Sequence, residues 1–413
     1  MVNLDNKVWP SSPLKEKDLD EEQLKQFLTI RADYEKCAFV TAGHLEVRAL
    51  GAKEFTKAIE PDESGITALV KHPSGHIYGG TGGKAAHLFF YNPAPDADAA
   101  ADIGIIPGAA KVVAMAVLPD GSIIGAANTF DKKSLLFVYK SCEVLLREKS
   151  FAGMGVREIF DLPAEDQLFF STIDPCHSSG TIEVLASPID GEICDLVSAP
   201  DGTSVYILSA CKGEIINYTV SDAAVKKIGS LDPNGNFSPK LAIDSCGRLY
   251  GAGLYGRIFR YDPETGDFMA MNISASAIKG WELYNQVTAW CSDSSGEILY
   301  GGTNAGQIFR FDTVNEKIIT LGKPCIQTRI TGMSRSGKKI YAIIGESDDC
   351  AHLASYNDDS RELLDLGCLL ARSERPWNGY RFEAMTTGRN GELFLGEYDR
   401  ISQLFIYYPS VED

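Results

Sequence analysis

Across its 413 residues the chain has no apolar run near the ~20 residues that a membrane-spanning helix needs. Its opening stretch, MVNLDNKVWPSSPLKEKDLDEEQ, lacks a basic segment followed by an apolar one, so no secretory signal is expected. Cysteine is sparse and scattered: the ten residues include no close pair, and they read as reduced, mostly buried thiols of a cytoplasmic protein. Positive charge is short as well. Lys and Arg number 39 against 56 Asp and Glu, a net charge of −17, which argues against nucleic acid or an acidic membrane surface as partner. No GxSxG elbow and no GxxxxGK[ST] loop occur. The nearest phrase, GGTGGK (79–84), lies between two strand-like segments with no helix behind it and reads as a β-turn.

What the sequence does have is repetition. HIYGGTGGKAAHLFFYNP (76–93) returns as RLYGAGLYGRIFRYDP (248–263) and as ILYGGTNAGQIFRFDT (298–313). The turn glycines ahead of such phrases are Gly75, Gly121, Gly202, Gly247, Gly296, Gly337 and Gly391. They stand 41 to 54 residues apart, except for a double-length gap between Gly121 and Gly202. That gap holds LPAEDQLFFST (162–172), read as a degenerate further unit with Glu165 and Asp166 in its turn.

Each unit has an apolar strand, a turn such as PSG or PDG, a second strand, a variable loop, a third strand and a looser fourth. Short strands with Gly-rich turns and no helical period make an all-β chain. Four strands recurring in this way predict a β-propeller, here of eight blades beginning near residues 65, 111, 157, 192, 238, 286, 329 and 381. A count of seven stays open if the short third unit merges with the fourth. The last unit stops after QLFIYYP, and the segment 37–51, CAFVTAGHLEVRALG, is expected to supply its missing outer strand and close the ring. Residues 1–36 form an extension with a short helix around DLDEEQLKQFL, and residues 37–413 form the propeller.

The blades resemble those of bacterial β-propellers that read roughly DG.IYGGT…LFRYDP.TG, including streptogramin lyase-like and polysaccharide lyase-like propellers. The resemblance covers nearly the whole chain and implies the fold. No catalytic motif of such a family maps onto this sequence, and Trp-Asp strand ends and a regular kelch Gly-Gly pattern are missing.

In a propeller the loops between second and third strands open on the same face as the approaches to the innermost strands, which explains why the repeated phrases differ most at their centres. Cations recur at or near the start of the innermost strand: Lys111, Arg157, Lys240, Arg329 and Arg381. Aromatic residues join them in KGWELYNQ (Trp281, Tyr284) and RPWNGYRF (Trp377, Tyr380). A basic, aromatic-lined channel mouth in an acidic protein would bind an anionic small molecule or oligosaccharide. Pairing of each cation with a nearby acid, such as Arg381 with Glu383, is the plainer alternative.

Lyase chemistry on a uronate needs a cation on the carboxylate and a base for the adjacent proton. Tyr255, His87, His177 and Arg257 are the candidates for catalysis. A divalent metal is a weaker expectation, with Cys176, His177, Cys350 and His352 as donors in two loops that lack CxxC or HxxxH spacing. The competing expectation is a scaffold that grips a protein partner through the same loops.

Overall fold

The computed structural model describes residues 43–51, 59–93, 99–140, 180–185, 187–232, 234–346, 350–371 and 377–410. The helix expected near the N-terminus, Arg157, Cys176 and His177 lie outside the described residues, as does the side chain of Trp377.

The described chain is all β. Strand β1 (His44–Leu50) precedes a first sheet of β2 (Gly65–Lys71), β3 (Ile77–Gly82), β4 (His87–Tyr91) and β5 (Ala99–Ile105). A second comprises β6 (Lys111–Val117), β7 (Ile123–Asn128), β8 (Ser134–Lys140) and β9 (Thr181–Leu185). The third has β10 (Ile193–Ser198), β11 (Ser204–Ser209), β12 (Glu214–Thr219) and β13 (Val225–Ser230). Next come β14 (Ala242–Ile243), β15 (Leu249–Ala252), β16 (Arg257–Tyr261) and β17 (Phe268–Ser274). They are followed by β18 (Val287–Ser292), β19 (Ile298–Thr303), β20 (Ile308–Asp312) and β21 (Lys317–Gly322). The sixth sheet has β22 (Ile330–Ser336), β23 (Lys339–Ile344), β24 (His352–Asn357) and β25 (Glu362–Cys368). A short ribbon of β26 (Leu370–Ala371) and β27 (Trp377–Asn378) leads to β28 (Phe382–Thr387), β29 (Leu393–Glu397) and β30 (Leu404–Tyr408).

The seventh group is completed by β1, antiparallel to β30 from His44↔Tyr408 to Arg48↔Leu404. The first described strand thus covers the edge of the last, as the sequence led us to expect. Among the described residues there are seven four-stranded groups, not eight; β1 beside β5 and β3 beside β6 link the seventh, first and second into one twelve-stranded sheet. The strand 181–185, inside the stretch expected to form a unit of its own from near residue 157, is instead β9, the outermost strand of the second sheet, in register from Leu136↔Leu185 to Lys140↔Thr181. The extra length in the Gly121–Gly202 gap therefore lies between the third and fourth strands of the second sheet.

Both faces of the sheets are buried. Phe137 and Tyr139 pack against Tyr78 and Phe90 of the first sheet, while Leu136 and Val138, pointing the other way, pack against Val205 and Ile207 of the third. Seven apolar cores follow this rule, each lying between consecutive sheets. The last of them joins Phe394 and Ile406 of the seventh group to Ile66 and Phe89 of the first.

The repeated Gly-Gly has a packing cause. A Cβ on Gly79, Gly125 or Gly301 would fall 2.1–2.2 Å from the ring of its cross-strand partner Phe89, Phe137 or Phe309. The following glycine admits the next sheet: a Cβ on Gly80 would lie 2.5 Å from Val112, and one on Gly302 2.5 Å from Ile330.

Candidate functional site

At or next to the start of each first strand stands a fully or almost fully buried apolar residue. Lys111, Arg329 and Arg381 stand directly before Val112, Ile330 and Phe382, all 0% exposed. Lys240 precedes Leu241 in the same way, while the first sheet has Gly65 there.

Three of these cations converge on one carboxylate that sequence reasoning had named only as a neutralising partner. Glu383 sits at a β-bulge in β28. Lys111 donates from Nζ to its Oε2 at 2.6 Å, and Arg381 donates to its Oε1. Burial works to raise the Glu383 carboxyl, but Lys111, with Arg381 and Arg329, outweighs it and holds the group below the ordinary carboxylate value. Lys111 belongs to the second sheet and Glu383 to the seventh. The first sheet, between them, offers glycine: a Cβ on Gly82 would sit 3.0 Å from Lys111 Cγ, and one on Gly65 2.7 Å from the Tyr398 ring. Lys111 Nζ and the Arg381 guanidinium lie 5.1 and 4.7 Å from the centre of the Tyr398 ring.

Beside this group a cleft of about 330 Å³ is lined by Asp62, Gly82, Gly83, Tyr380, Arg381, Tyr398, Asp399 and Arg400. Asp62 repeats the two-to-one pattern, meeting Lys84 Nζ at 3.0 Å and Arg400 Nε at 2.9 Å. Its carboxyl is lowered, first by the bond from Lys84. Gly83 lets the chain pass here, because a Cβ would fall 1.8 Å from the Asp62 carbonyl oxygen. Loops between second and third strands and approaches to first strands do share this face, as the amide of Tyr398 donating to the Arg381 carbonyl at 2.7 Å illustrates.

Other expected residues lie elsewhere. Lys240 is held at 3.1 Å by Asp195, a buried carboxylate that also accepts from the Leu241 amide. His87 is buried with Nδ1 3.1 Å from Asp102 and Nε2 3.1 Å from Glu63. Burial alone would lower it, but Asp102 and Glu63 prevail and raise it above 6.5. Tyr255 occupies a single 3₁₀ turn, Leu254–Gly256, at φ 60°, and is half exposed. Arg257 next to it donates from Nε to the Met271 carbonyl at 3.1 Å. The catalytic candidates among the described residues are thus divided between the first sheet and the fourth.

Trp281 and Tyr284 lie on the second 3₁₀ turn, around Glu282–Tyr284. They are 61% and 65% exposed, with their rings edge to face at 6.2 Å. Of the metal candidates, His352 lies against Asp365 and Cys368. The thiol grouped with it is Cys325 rather than Cys350. The pairing of Glu383 with Lys111 was not legible because the two come from distant units, 272 residues apart. One signal was available. Glu383 stands at the bulge where other first strands carry Thr67, Val113, Thr288 and Thr331.

Among solved structures, the extracellular domain of BT4673 from B. thetaiotaomicron, assigned to a one component system, is similar at a TM-score of 0.54 and 12% identity. That match covers 89% of this chain and 40% of the other, so the chain spans well under half of that protein's length. U3-55K is similar at a TM-score of 0.56 and 12% identity over 88% of this chain and 98% of the other. At such identity the likeness speaks for the β fold alone. No family model matches the chain, and no curated protein gives a significant match.

Proposed function

We propose that the chain is a seven-bladed β-propeller whose cation-rich face binds an anionic small molecule or oligosaccharide through a carboxylate or phosphate. The architecture rests on the cycle of cores in which the last sheet packs on the first. The binding reading rests on the unequal pairing at the cleft. There and beside it each of two carboxylates is shared by several cations: Glu383 answers Lys111 and Arg381, with Arg329 also acting on it, and Asp62 answers Lys84 and Arg400, in a chain of net charge −17. Tyr380 and Tyr398 give a sugar ring apolar faces to lie against.

The test is calorimetry or thermal shift against uronates and sugar phosphates. An anion that binds is expected to bind more tightly to Glu383→Gln, which frees Lys111 and Arg381. It should bind roughly ten-fold or more weakly to Arg381→Gln, the loss of one charge-assisted bond, and salt should weaken the wild-type interaction. No response to any anion, or equal affinity in Glu383→Gln, overturns the reading. Appearance of an unsaturated uronate in the same samples would extend it to a lyase. Since His87 already has a carboxylate at each ring nitrogen and Tyr255 lies on the fourth sheet rather than at the cleft, His177 would then be the base to vary.

A second reading, a protein-interaction scaffold, is favoured by one observation. The 3₁₀ turns carrying Tyr255 and Trp281–Tyr284 contact each other and present Tyr255, Trp281, Leu283 and Tyr284 to solvent. Asn304 holds this group in place, donating from its side chain to the Tyr284 carbonyl at 2.7 Å.

A further inference from the structure

The first and sixth sheets repeat one arrangement of side chains and then diverge. His87 opens β4 and His352 opens β24, and each faces a bulged outer strand carrying Asp-x-Gly: Asp102 in β5 and Asp365 in β25. In both sheets the aspartate meets Nδ1, at 3.1 Å for His87 and 2.9 Å for His352. At the second nitrogen the likeness ends. Glu63, from the connection leading into β2, meets Nε2 of His87 and completes a carboxylate–imidazole–carboxylate sandwich suited to a cation on the ring itself. The connection leading into β22, KPCIQTR, has no carboxylate and carries Cys325. The outer strand has exchanged residue types too: Cys368 pairs with His352 where Ile105 pairs with His87. Cys368 Sγ lies 3.2 Å from His352 Nε2. Donor atoms of Cys325, His352 and Asp365 all lie within 4.8 Å of one another.

We propose that the outer part of the sixth sheet is a metal site, with Cys325, His352 and Asp365 as its donors, Cys368 at the second ring nitrogen, and Zn²⁺ as the ion it takes. Zinc accepts mixed sulfur, nitrogen and oxygen donors at bonds of about 2.0–2.3 Å in a tetrahedron. Ligand atoms then stand somewhat closer together than 4.8 Å, so small side-chain rotations complete the cage. Mg²⁺ and Ca²⁺ are disfavoured, because they require an all-oxygen shell. The site is reachable: the His352 and Asp365 side chains are 15% and 31% exposed. Binding releases the Cys325 thiol proton to solvent, and thiolate and carboxylate together balance the two charges of the ion, so affinity rises with pH. The first sheet is an internal control, having the same histidine–aspartate pair without a thiol.

The test uses the full chain without an affinity tag, stripped by a chelator and titrated with Zn²⁺ against a chromophoric competitor, with Co²⁺ as a spectroscopic substitute. The expected result is one equivalent of metal, and a Co²⁺ complex showing a thiolate-to-metal charge-transfer band. Cys325→Ser should lose that band and weaken affinity at least as much as loss of an outer-shell partner, roughly 10–100-fold. Cys211→Ser, an exposed thiol on the third sheet, should change neither. A wild-type Co²⁺ complex without a thiolate band, or stoichiometric uptake undiminished in a folded Cys325→Ser, overturns the proposal. The wild-type spectrum decides the matter even if the variant does not fold.

Discussion

A glycine in a strand interior ordinarily weakens it, yet here two deeply buried strands, β3 and β19, carry two in succession. At Gly301 the absent side chain is the space filled by the Phe309 ring, 2.1 Å from where a Cβ would be. Gly301→Ala should therefore destabilise the protein by about 1–3 kcal/mol, as overpacking does, and Phe309→Leu in the same chain should recover part of the loss. Denaturant unfolding of the single and double variants measures both, and additive losses would refute the packing account.

His87 gives a second test at this scale, through pH. Its folded pKa is raised above 6.5 by Asp102 and Glu63. Its contribution to stability is therefore complete below the unfolded value and fades as pH rises through the folded one. Wild type should lose stability over that interval relative to His87→Asn, and a pH-independent difference between the two would exclude the ion triad as its source.

The first strands share a device. Each of six has a bulge near its start, and where the bulged residue is threonine its hydroxyl can tie one sheet to the next. Thr67 donates to the Val112 carbonyl at 2.5 Å, and Thr288 to the Ile330 carbonyl at 2.6 Å. Thr331 occupies the same place with its buried Oγ1 unpaired. Thr288→Val should thus lower stability by about 1 kcal/mol, whereas Thr331→Val should be neutral or favourable. Thermal unfolding of the two isosteric variants discriminates, and equal losses would refute the assignment.

Repetition made the strands legible before any coordinates, because each phrase carries its own turn glycine and its own aromatic third strand. Pairing between units was not legible. Nothing in TIEVL says that it borders Leu136 rather than starting a sheet of its own, and a strand's neighbour across a long connection is set by which open edge it covers. The site divided in the same way: Lys111 and Arg381 were visible from their position, while Asp62, which balances two cations at once, gave no local sign.

For the molecule as a whole, the decisive contact is between its earliest and latest described strands. Without β1 the edge of β30 would be bare, with Phe405 and Tyr407 losing Leu45 as neighbour in the core they share. Removing residues 43–50 should broaden the melting transition, lower its midpoint and promote association through the uncovered strand, as light scattering would report. An unchanged, sharp transition would mean that β1 is an ornament rather than a clasp.

The same clasp has a consequence for synthesis. Translation delivers β1 hundreds of residues ahead of the strand it must meet, so a growing chain holds an orphaned β-edge until β30 has been made. Since His44 lies opposite Tyr408 in antiparallel register, a two- or three-residue turn could join them. A circularly permuted gene that begins at β2 and ends with β1 would turn this longest-range pairing into an ordinary hairpin, and should reach the native state faster with the same final structure.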